Sequence, residues 1–244
     1  MRNLLLTLRY DGSTFHGWQI QPNGVTVQQE LCNAFRNLSG KDENIIGCSR
    51  TDAGVHANMF CCNVRTECSI PAEKVPYALN FYLPPQISVY ACEEVDFDFH
   101  ARYDCKGKEY VYLIYNGKYR NPFYENKAMF YPYEIDAEML NREAKAFIGT
   151  HDFSAFCSAG TDIEDKTREI FDCSVTRNGD LIEVKVSGNG FLYNMVRIIV
   201  GTLLDIQREK IEKGTIPQII ESRNRDNAGV TAVACGLYLN KVFY

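Results

Sequence analysis

The segment around Asp52 carries residue types that nucleophilic or acid–base chemistry uses. Arg50, Asp52 and His56 lie close together in the polar stretch 48–57, between two apolar stretches of the chain. A carboxylate in such a loop can act as a nucleophile or as a general acid or base. Asp before Ala-Gly is also common in turns. Spacing alone therefore leaves open a catalytic Asp52 and a loop that only turns the chain.

A tyrosine-rich strand is predicted at residues 109–115. Its alternation places Tyr110 and Tyr112 on one face, opposite Val111 and Leu113. Two phenol rings on one sheet face either pack beneath a helix or offer a stacking platform for a base. The pattern does not decide between them.

Residues 191–204 predict a helix that is apolar nearly all round, with Arg197 as its only charge. Such a helix should be buried. A buried guanidinium needs a carboxylate partner, because an unpaired ion in a low-dielectric interior costs several kcal/mol. Arg197 is therefore expected in a functional pair, in a structural pair or reaching towards solvent.

The loop at residues 10–21 contains Trp18, the only tryptophan, together with His16, Gln19 and Gln21. Aromatic rings and amides suit contacts to ribose and bases. The same composition also fits a well-packed surface turn.

The elements that position these groups fall into two halves that begin alike. A strand ending at Asp11-Gly12 opens the first, and a strand ending at Asn116-Gly117 opens the second. We predict an α+β fold of two similar α/β-sandwich halves, 1–104 and 105–244. The first half carries the Asp52 loop, and the second carries the tyrosine strand and the Arg197 helix. Each half is expected to hold a mostly antiparallel sheet covered by helices, and the two to flank a central basic cleft.

Local patterns give the elements of each half. In the first half, Thr26 and Gln29 predict a capping box for a helix that Gly40 ends. A short helix is predicted at 71–81, with strands at 45–47, 57–65 and 87–95. The second half is expected to contain a helix capped by Asp136 and stopped by Gly149, a type I′ hairpin at Asn178-Gly179, a helix from about Phe191 and a strand at 236–242.

Composition limits the partners. The 244 residues carry a net charge of −5 and are 45% hydrophobic, as in an ordinary soluble globular protein. Because polyanions are held mainly by Lys and Arg, a nucleic-acid site must be a local basic cleft. Its candidate residues are Arg9, Arg50, Arg102, Lys106, Lys108, Lys166 and Arg168.

The sequence also lacks the features expected of membrane, exported and metal-binding proteins. No apolar run approaches the ~20 residues of a membrane span, and no export signal is recognisable, so a cytoplasmic protein with no membrane contact is expected. The ten cysteines form no Cys-x-x-Cys pair, so we expect reduced core thiols and no metal site.

Several segments together resemble the TruA-type tRNA pseudouridine synthases over nearly the whole chain. Their order and spacing match throughout. The matching stretches are Tyr10-Asp11-Gly12 with residues 15–19, Arg50 to Ala57, Phe99-His100-Ala101-Arg102, Lys108 to Tyr112, His151-Asp152-Phe153, Gly190 to Arg197 and Gly236 to Leu239.

This resemblance implies isomerisation of uridine to pseudouridine at positions 38, 39 and 40 in the anticodon stem-loop of tRNA, by a homodimer without cofactor or metal. It implies that Asp52 is the nucleophile, that Tyr110 stacks on the target base and that Arg197 is the basic partner of Asp52. Arg50 would fill the space left by the flipped base. His56, Gln19 and Arg168 complete the expected substrate-binding set.

Two residues depart from the family pattern. Ser49 stands where a glycine is usual, so we expect a backbone angle open to glycine to be closed beside Arg50. Val233 stands where a proline is usual, which affects the stiffness of the chain before the last strand. Neither departure removes a catalytic group.

Two other functions fit parts of the sequence. A noncatalytic RNA-binding module would use exposed aromatics on an antiparallel sheet, but its signature motif is missing. A glycoside hydrolase with two carboxylates would need a second acid opposite Asp52, and the sequence identifies none.

Overall fold

The computed structural model describes residues 1–160 and 163–244. The chain divides into two compact units. The first comprises Met1–Lys106 together with Tyr238–Tyr244, and the second comprises Gly107–Leu237. Within the described residues, no helix is long and apolar enough to cross a membrane.

The first unit is built on a sheet whose central strand is buried on both faces. Its strands are β1 (Arg2–Tyr10), β2 (Ile45–Gly47), β3 (His56–Thr66), β4 (Ile87–Val95) and the C-terminal strand (Leu237–Phe243). Strand β1 lies between β4 and β3 and is antiparallel to both. Strand β2 pairs antiparallel with β3, and the C-terminal strand pairs parallel with it. The predicted strands are therefore confirmed, and the residues from Asn3 to Leu8 are all buried, so both faces of β1 are covered.

The first unit also contains two helices, α1 (Val27–Ser39) and α2 (Val75–Tyr82). The predicted N-cap of α1 is confirmed, because the Thr26 side chain accepts a hydrogen bond from the Gln29 backbone at 3.3 Å. The second bond of a capping box is replaced, since the Gln29 side chain donates to Asn33 instead. Gly40 ends the helix with a φ of 74°, as predicted.

The second unit contains β5 (Gly107–Tyr115), β6 (Met129–Phe130), β7 (Gly149–Asp152), β8 (Thr167–Asn178) and β9 (Leu181–Gly188). The order is β5-β9-β8-β7 with antiparallel neighbours, and β6 lies parallel to β5. Its helices are α3 (Ala137–Ala144), α4 (Met195–Gln207) and α5 (Ile216–Ser222). Two units of mixed helices and mostly antiparallel strands are the predicted fold class.

The hairpin of the second unit differs in its turn. Asn178 pairs with Leu181, so the two central residues are Gly179 and Asp180, one position later than predicted. Gly179 has a φ of 59°, whereas Asp180 is not among the described residues with positive φ. The turn is therefore of type II′ and the predicted type I′ is wrong.

Phe171 alternates with Cys173 and Val175 in the sequence of the same hairpin, which predicts that it shares their face, but it is exposed. The pairing of β8 with β9 shifts between Ile170 and Asp172, and this bulge turns Phe171 to the other face. The alternation holds beyond it, where Cys173 and Val175 are buried.

Two helix boundaries also differ from the prediction. Helix α4 begins at Met195 instead of near Phe191, because Asn194 has a left-handed φ of 61° that a right-handed helix does not contain. Helix α3, capped by Asp136 as predicted, ends at Ala144 and a 3-10 turn follows. Gly149, the predicted stop, instead begins β7 with a φ of 113°.

Half of the ten cysteines are buried, namely Cys48, Cys61, Cys62, Cys157 and Cys173. Desolvation by burial raises the pKa of Cys61 to about 11 and that of Cys173 to about 12. Thiols with such pKa values stay protonated near neutral pH and are poor nucleophiles.

The segment 229–233 lies against helix α4. The Gly229 backbone donates to the Thr202 hydroxyl at 2.9 Å, and the Val230 backbone donates to Asp205 Oδ2 at 3.1 Å. Gly201 permits this approach, since a Cβ atom there would lie 1.6 Å from the Val230 carbonyl oxygen. Val233 has φ −61° and ψ 151°, which are proline-like angles. The valine therefore follows the backbone path that a proline would take.

We predict that Val233→Pro raises the free energy of unfolding by about 0.4–1 kcal/mol, because it restricts only the unfolded chain. The matched control is Val230→Pro, an equally exposed valine of the same segment. This substitution should lower the free energy of unfolding by roughly 2–3 kcal/mol, because it removes the backbone N–H that donates to Asp205. Urea denaturation midpoints measure both changes. Destabilisation by Val233→Pro would contradict the proline-like path.

Candidate functional site

Asp52 lies in the loop that joins β2 to β3, and it is half-buried. Its carbonyl oxygen accepts a hydrogen bond from the Val55 backbone at 3.1 Å, which closes a turn over Ala53 and Gly54. Gly54 has a φ of 78°, so the third turn position uses the left-handed conformation that glycine favours. The Ala-Gly pair therefore does form a turn, and this turn sets the direction of the Asp52 backbone.

Thr51, the residue before Asp52, is held from two directions. Its hydroxyl shares a buried hydrogen bond of 2.8 Å with the Tyr10 phenol at the end of β1. Its carbonyl oxygen accepts from the Trp18 backbone at 3.1 Å. Gly17 allows this contact, because a Cβ atom there would lie 2.4 Å from the Thr51 carbonyl oxygen. The backbone on the N-terminal side of Asp52 is thus fixed.

Trp18 anchors the 10–21 loop and is buried. Its indole stacks on Phe60 of β3 with a ring separation of 4.0 Å. At this residue the loop is a packed turn, one of the two alternatives that its composition allowed. Gln19, the next residue, is exposed.

His56 holds the C-terminal side of the loop and is 1% exposed. Its Nδ1 atom accepts from the Gly12 backbone at 3.0 Å, and its ring stacks on Tyr238 at 4.5 Å. Asp11 Oδ1 lies 3.1 Å from the same nitrogen. The Gly12 backbone and the Asp11 carboxylate thus both meet Nδ1, and they hold the imidazole ring in place.

Arg50 lies on the same loop and is exposed. It lines a pocket of the first unit together with Gln19, so these two predicted substrate-binding residues are brought together. Ser49 is not among the described non-glycine residues with positive φ. Its backbone conformation is therefore open to any residue, and the serine does not strain the chain beside Arg50.

Tyr110 lies in β5 of the second unit and is 6% exposed. Its ring meets Phe191 edge to face at 5.0 Å. Tyr112, two residues on, is fully buried and donates its hydroxyl to the Val233 carbonyl at 2.8 Å. Desolvation raises the pKa of Tyr112 far above its usual range, so this phenol stays protonated. Both residues are packed within the second unit, Tyr112 completely and Tyr110 almost completely.

Arg197 lies in the first turn of α4 and is only partly buried. Its Nε donates to the Ala232 carbonyl at 2.7 Å, and its Nη1 donates to Asn194 Oδ1 at 2.8 Å. Asn194 in turn donates to the Ser158 hydroxyl at 2.9 Å. These bonds fix the plane of the guanidinium.

Arg168 lies in β8 of the same unit as Tyr110 and Arg197. Its Nη1 atom donates to the carbonyls of Asp165 at 3.0 Å and Thr167 at 2.6 Å. The second unit thus carries three predicted site residues, and the first carries Asp52, Arg50, His56 and Gln19. In neither described stretch, 1–160 or 163–244, do three His, Cys, Asp or Glu side chains form a group that could hold a metal ion.

The sequence interpretation missed the residues that hold the loop. Tyr10 and Thr51 are 41 positions apart, and only the pairing of β1 with β3 brings them together. It named Arg102 as a candidate residue of the basic cleft but gave no role to its neighbour Tyr103, whose ring lies 4.3 Å from that of His100. The adjacent Arg102 and Tyr103 were the available signal, since a cation next to an aromatic residue is typical of nucleic-acid contacts.

The first unit thus carries the Asp52 loop, and the second carries the tyrosine strand and the Arg197 helix. The family model described as tRNA pseudouridine synthase matches residues 7–104 and 144–244. The chain belongs to the tRNA pseudouridine synthase family. It is an isomerase that converts uridine to pseudouridine in tRNA.

Relatives agree with this over the full length. A protein of Caldicellulosiruptor saccharolyticus named tRNA pseudouridine synthase A is 48% identical, with 100% of both chains covered. One of Acetivibrio thermocellus with the same name is 47% identical, again with 100% of both covered. A third, from Bacillus pumilus, is 45% identical over 98% of this chain and 97% of its own.

We predict that Thr51→Val lowers turnover roughly 10- to 100-fold, because the loop loses one of its two holds and Asp52 shifts. The free energy of unfolding should fall by only about 1 kcal/mol. Steady-state turnover and urea denaturation measure the two effects. Thr150→Val, an exposed threonine of β7, is the matched control and should change neither. Wild-type turnover by Thr51→Val would show that this bond does not position Asp52.

Proposed function

We propose that the chain isomerises uridine at positions 38, 39 and 40 in the anticodon stem-loop of tRNA, with Asp52 as the nucleophile. The observation that carries this proposal is the loop of Asp52, which is held on both sides while its carboxylate stays half-buried. A nucleophile fixed before the substrate arrives loses little entropy in reaching the reacting geometry. We also propose that the enzyme works as a homodimer in the cytoplasm.

The reaction gives Asp52 a defined task. The glycosidic bond from N1 to C1′ must break, the uracil must rotate while it is retained, and its C5 must bond to C1′. Positive charge develops on the sugar as the bond breaks, and a carboxylate is suited to attack or stabilise that centre. The proton on C5 then leaves, and N1, which no longer bonds the sugar, gains a proton, so the product carries the same atoms as the substrate.

Tyr110 is proposed to stack on the uracil and to take the C5 proton. Its edge-to-face contact with Phe191 fixes the orientation of the phenol ring. A fixed ring is a defined surface for a base that turns during the reaction. Tyr112 supports the strand behind it through its bond to the Val233 carbonyl.

Arg197 is proposed to keep Asp52 ionised, because a nearby cation favours the charged form of an acid. The bonds to Ala232 and Asn194 support this role, since they hold the guanidinium in one plane. A fixed planar group can meet a carboxylate with two parallel hydrogen bonds.

The remaining proposed residues handle the RNA. The target uridine must leave its stack, which costs a few kcal/mol, and the exposed Arg50 is proposed to fill the gap. Gln19 and Arg168 are proposed as further RNA contacts. His56 is proposed to serve substrate binding from its buried position, through the loop that it holds.

The experiment that tests the function uses tRNA labelled with tritium at uracil C5. Isomerisation removes that hydrogen, so tritium should appear in water at a rate proportional to enzyme. Release of free uracil would instead indicate a hydrolase, and tRNA retention without chemistry would indicate a binding module.

We predict that Asp52→Asn lowers tritium release roughly 10³-fold or more, while tRNA affinity and the fold remain nearly unchanged. The substitution keeps the size of the side chain and removes its charge. Asp42→Asn, an exposed aspartate outside the loop, is the matched control and should release tritium normally. Steady turnover by pure Asp52→Asn enzyme would contradict the assignment.

We predict that Arg197→Met lowers turnover at least about 100-fold but costs only about 1–2 kcal/mol of stability, through the lost bonds to Ala232 and Asn194. Residual activity should shift to higher pH, because Asp52 must then ionise without a neighbouring cation. Arg197→Lys should keep part of the activity.

The control is Arg208→Met at the end of the same helix, where the guanidinium lies over the Tyr131 ring and Nε donates to its hydroxyl. This variant should lose at least as much stability, because it also removes the cation 3.7 Å from the buried Asp205 carboxylate, and it should keep normal turnover. Equal turnover by Arg197→Met and Arg208→Met would show that Arg197 has only a structural role.

A further inference from the structure

A pocket of the first unit lies beside the Asp52 loop and carries an unusual combination of side chains. Arg50 and Gln19 line one part of it, and His100, Arg102 and Tyr103 line another. We call it the His100–Tyr103 pocket. Its lining residues include cations, an amide and aromatic rings but no carboxylate. In a chain with a net charge of −5, this composition marks a local site for an anion that also has a flat ring.

The aromatic part of the pocket is rigid. The rings of His100 and Tyr103 lie 4.3 Å apart, tilted by 31°. The backbones of Tyr103 and Asp104 both donate to the His100 carbonyl, at 3.1 and 3.0 Å. His100 Nδ1 accepts from the Arg102 backbone at 3.2 Å, and the His100 backbone donates to Asp104 Oδ2 at 2.7 Å. These bonds close a turn that holds both rings.

Tyr103 keeps its ring in solvent despite this rigidity, since 76% of the residue is exposed. An aromatic face that is fixed and open is a stacking surface for a base, because stacking then costs little ordering entropy. The Arg102 guanidinium lies 5.9 Å from the centre of the same ring. A base stacked on Tyr103 would therefore bring its phosphate close to a cation.

The charge of the pocket is available to a ligand. Across residues 1–160 and 163–244, neither Arg50 nor Arg102 forms an ion pair with a carboxylate. Two exposed guanidinium groups that line one pocket, without acidic partners, match the bidentate hydrogen bonding that a phosphate offers.

We propose that the His100–Tyr103 pocket binds one nucleotide of the tRNA next to the target uridine. Its base stacks on the Tyr103 ring, and its phosphate lies beside the Arg102 guanidinium. This inference rests on the proposed function for the identity of the RNA. It adds a contact that grips a neighbouring nucleotide while Arg50 enters the gap left by the target base.

The test is RNA affinity measured in Asp52→Asn enzyme, so that the RNA is not converted. The probe is a fluorescent anticodon stem-loop RNA read by anisotropy. Tyr103→Leu should raise Kd about five- to tenfold, the size of one lost base stack on an exposed ring. Tyr103→Phe should stay within about twofold of the parent, because the phenyl ring keeps the stacking face.

The chain supplies a matched control pair. Lys118 and Tyr119 are also adjacent, with the ammonium 5.4 Å from the ring centre, and Tyr119 is 72% exposed. Tyr119→Leu should leave Kd unchanged. Arg102→Gln should lower the slope of log Kd against log salt concentration by about one, whereas Lys118→Gln should not change it.

Different measurements test the nucleotide-binding pocket and the proposed function, so either proposal can be contradicted without the other. Tritium release by the wild-type enzyme tests the function, whereas the Tyr103 and Tyr119 variants test the pocket through affinity alone. In enzyme that retains Asp52, Tyr103→Leu should raise KM with kcat unchanged, since the contact is remote from the reacting atoms. Equal Kd values for Tyr103→Leu and Tyr119→Leu, or an unchanged salt slope in Arg102→Gln, would overturn the proposal that this pocket binds a nucleotide.

Discussion

The hold on Thr51 is the constraint on which the Asp52 site depends. Tyr10 fixes its side chain and Trp18 fixes its carbonyl, so two parts of the first unit meet at the residue before the carboxylate. Four residues after Asp52, His56 is fixed in the same way by Gly12. An exposed loop would sample many conformations, and one tied at both ends to a buried sheet samples few. The cost of ordering the loop of the proposed nucleophile is therefore met during folding and not during binding.

In the second unit, one short segment of the chain holds the predicted site residues in place. The segment 229–233 is fastened to α4 through Thr202 and Asp205. Its carbonyls then orient two groups, because Ala232 accepts from Arg197 and Val233 accepts from Tyr112. One short segment thus sets both the guanidinium of the helix and the strand that carries the second predicted catalytic residue, Tyr110.

Local sequence patterns predicted much of the fold, because the elements concerned are determined by nearby residues. The helix cap at Thr26 and the strand at 45–47 are examples. The predicted start of α4 and the predicted type of the turn at Gly179 were wrong, because both depend on which residues have positive φ, and a sequence pattern does not reveal this. The exposure of Phe171 depends on a register shift with a partner strand, which is a non-local property.

Local sequence patterns predicted less of the candidate site than of the fold. Asp52, Tyr110 and Arg197 entered through family resemblance, because spacing alone left each with a structural alternative. The contacts that hold them were not predictable, since Thr51 bonds a residue 41 positions away and Arg197 bonds a carbonyl 35 positions away. Such pairs are set by sheet and helix packing and carry no local signal.

The central claim is that the loop of Asp52 is formed before RNA binds, and amide hydrogen exchange resolved by residue tests it most directly. The Val55 and Trp18 amides donate to the carbonyls of Asp52 and Thr51. In the free protein both amides should exchange at least about 100-fold more slowly than unstructured ones, and tRNA should change these rates little. Free-protein rates typical of an open loop, with protection appearing only after tRNA is added, would contradict a preformed site.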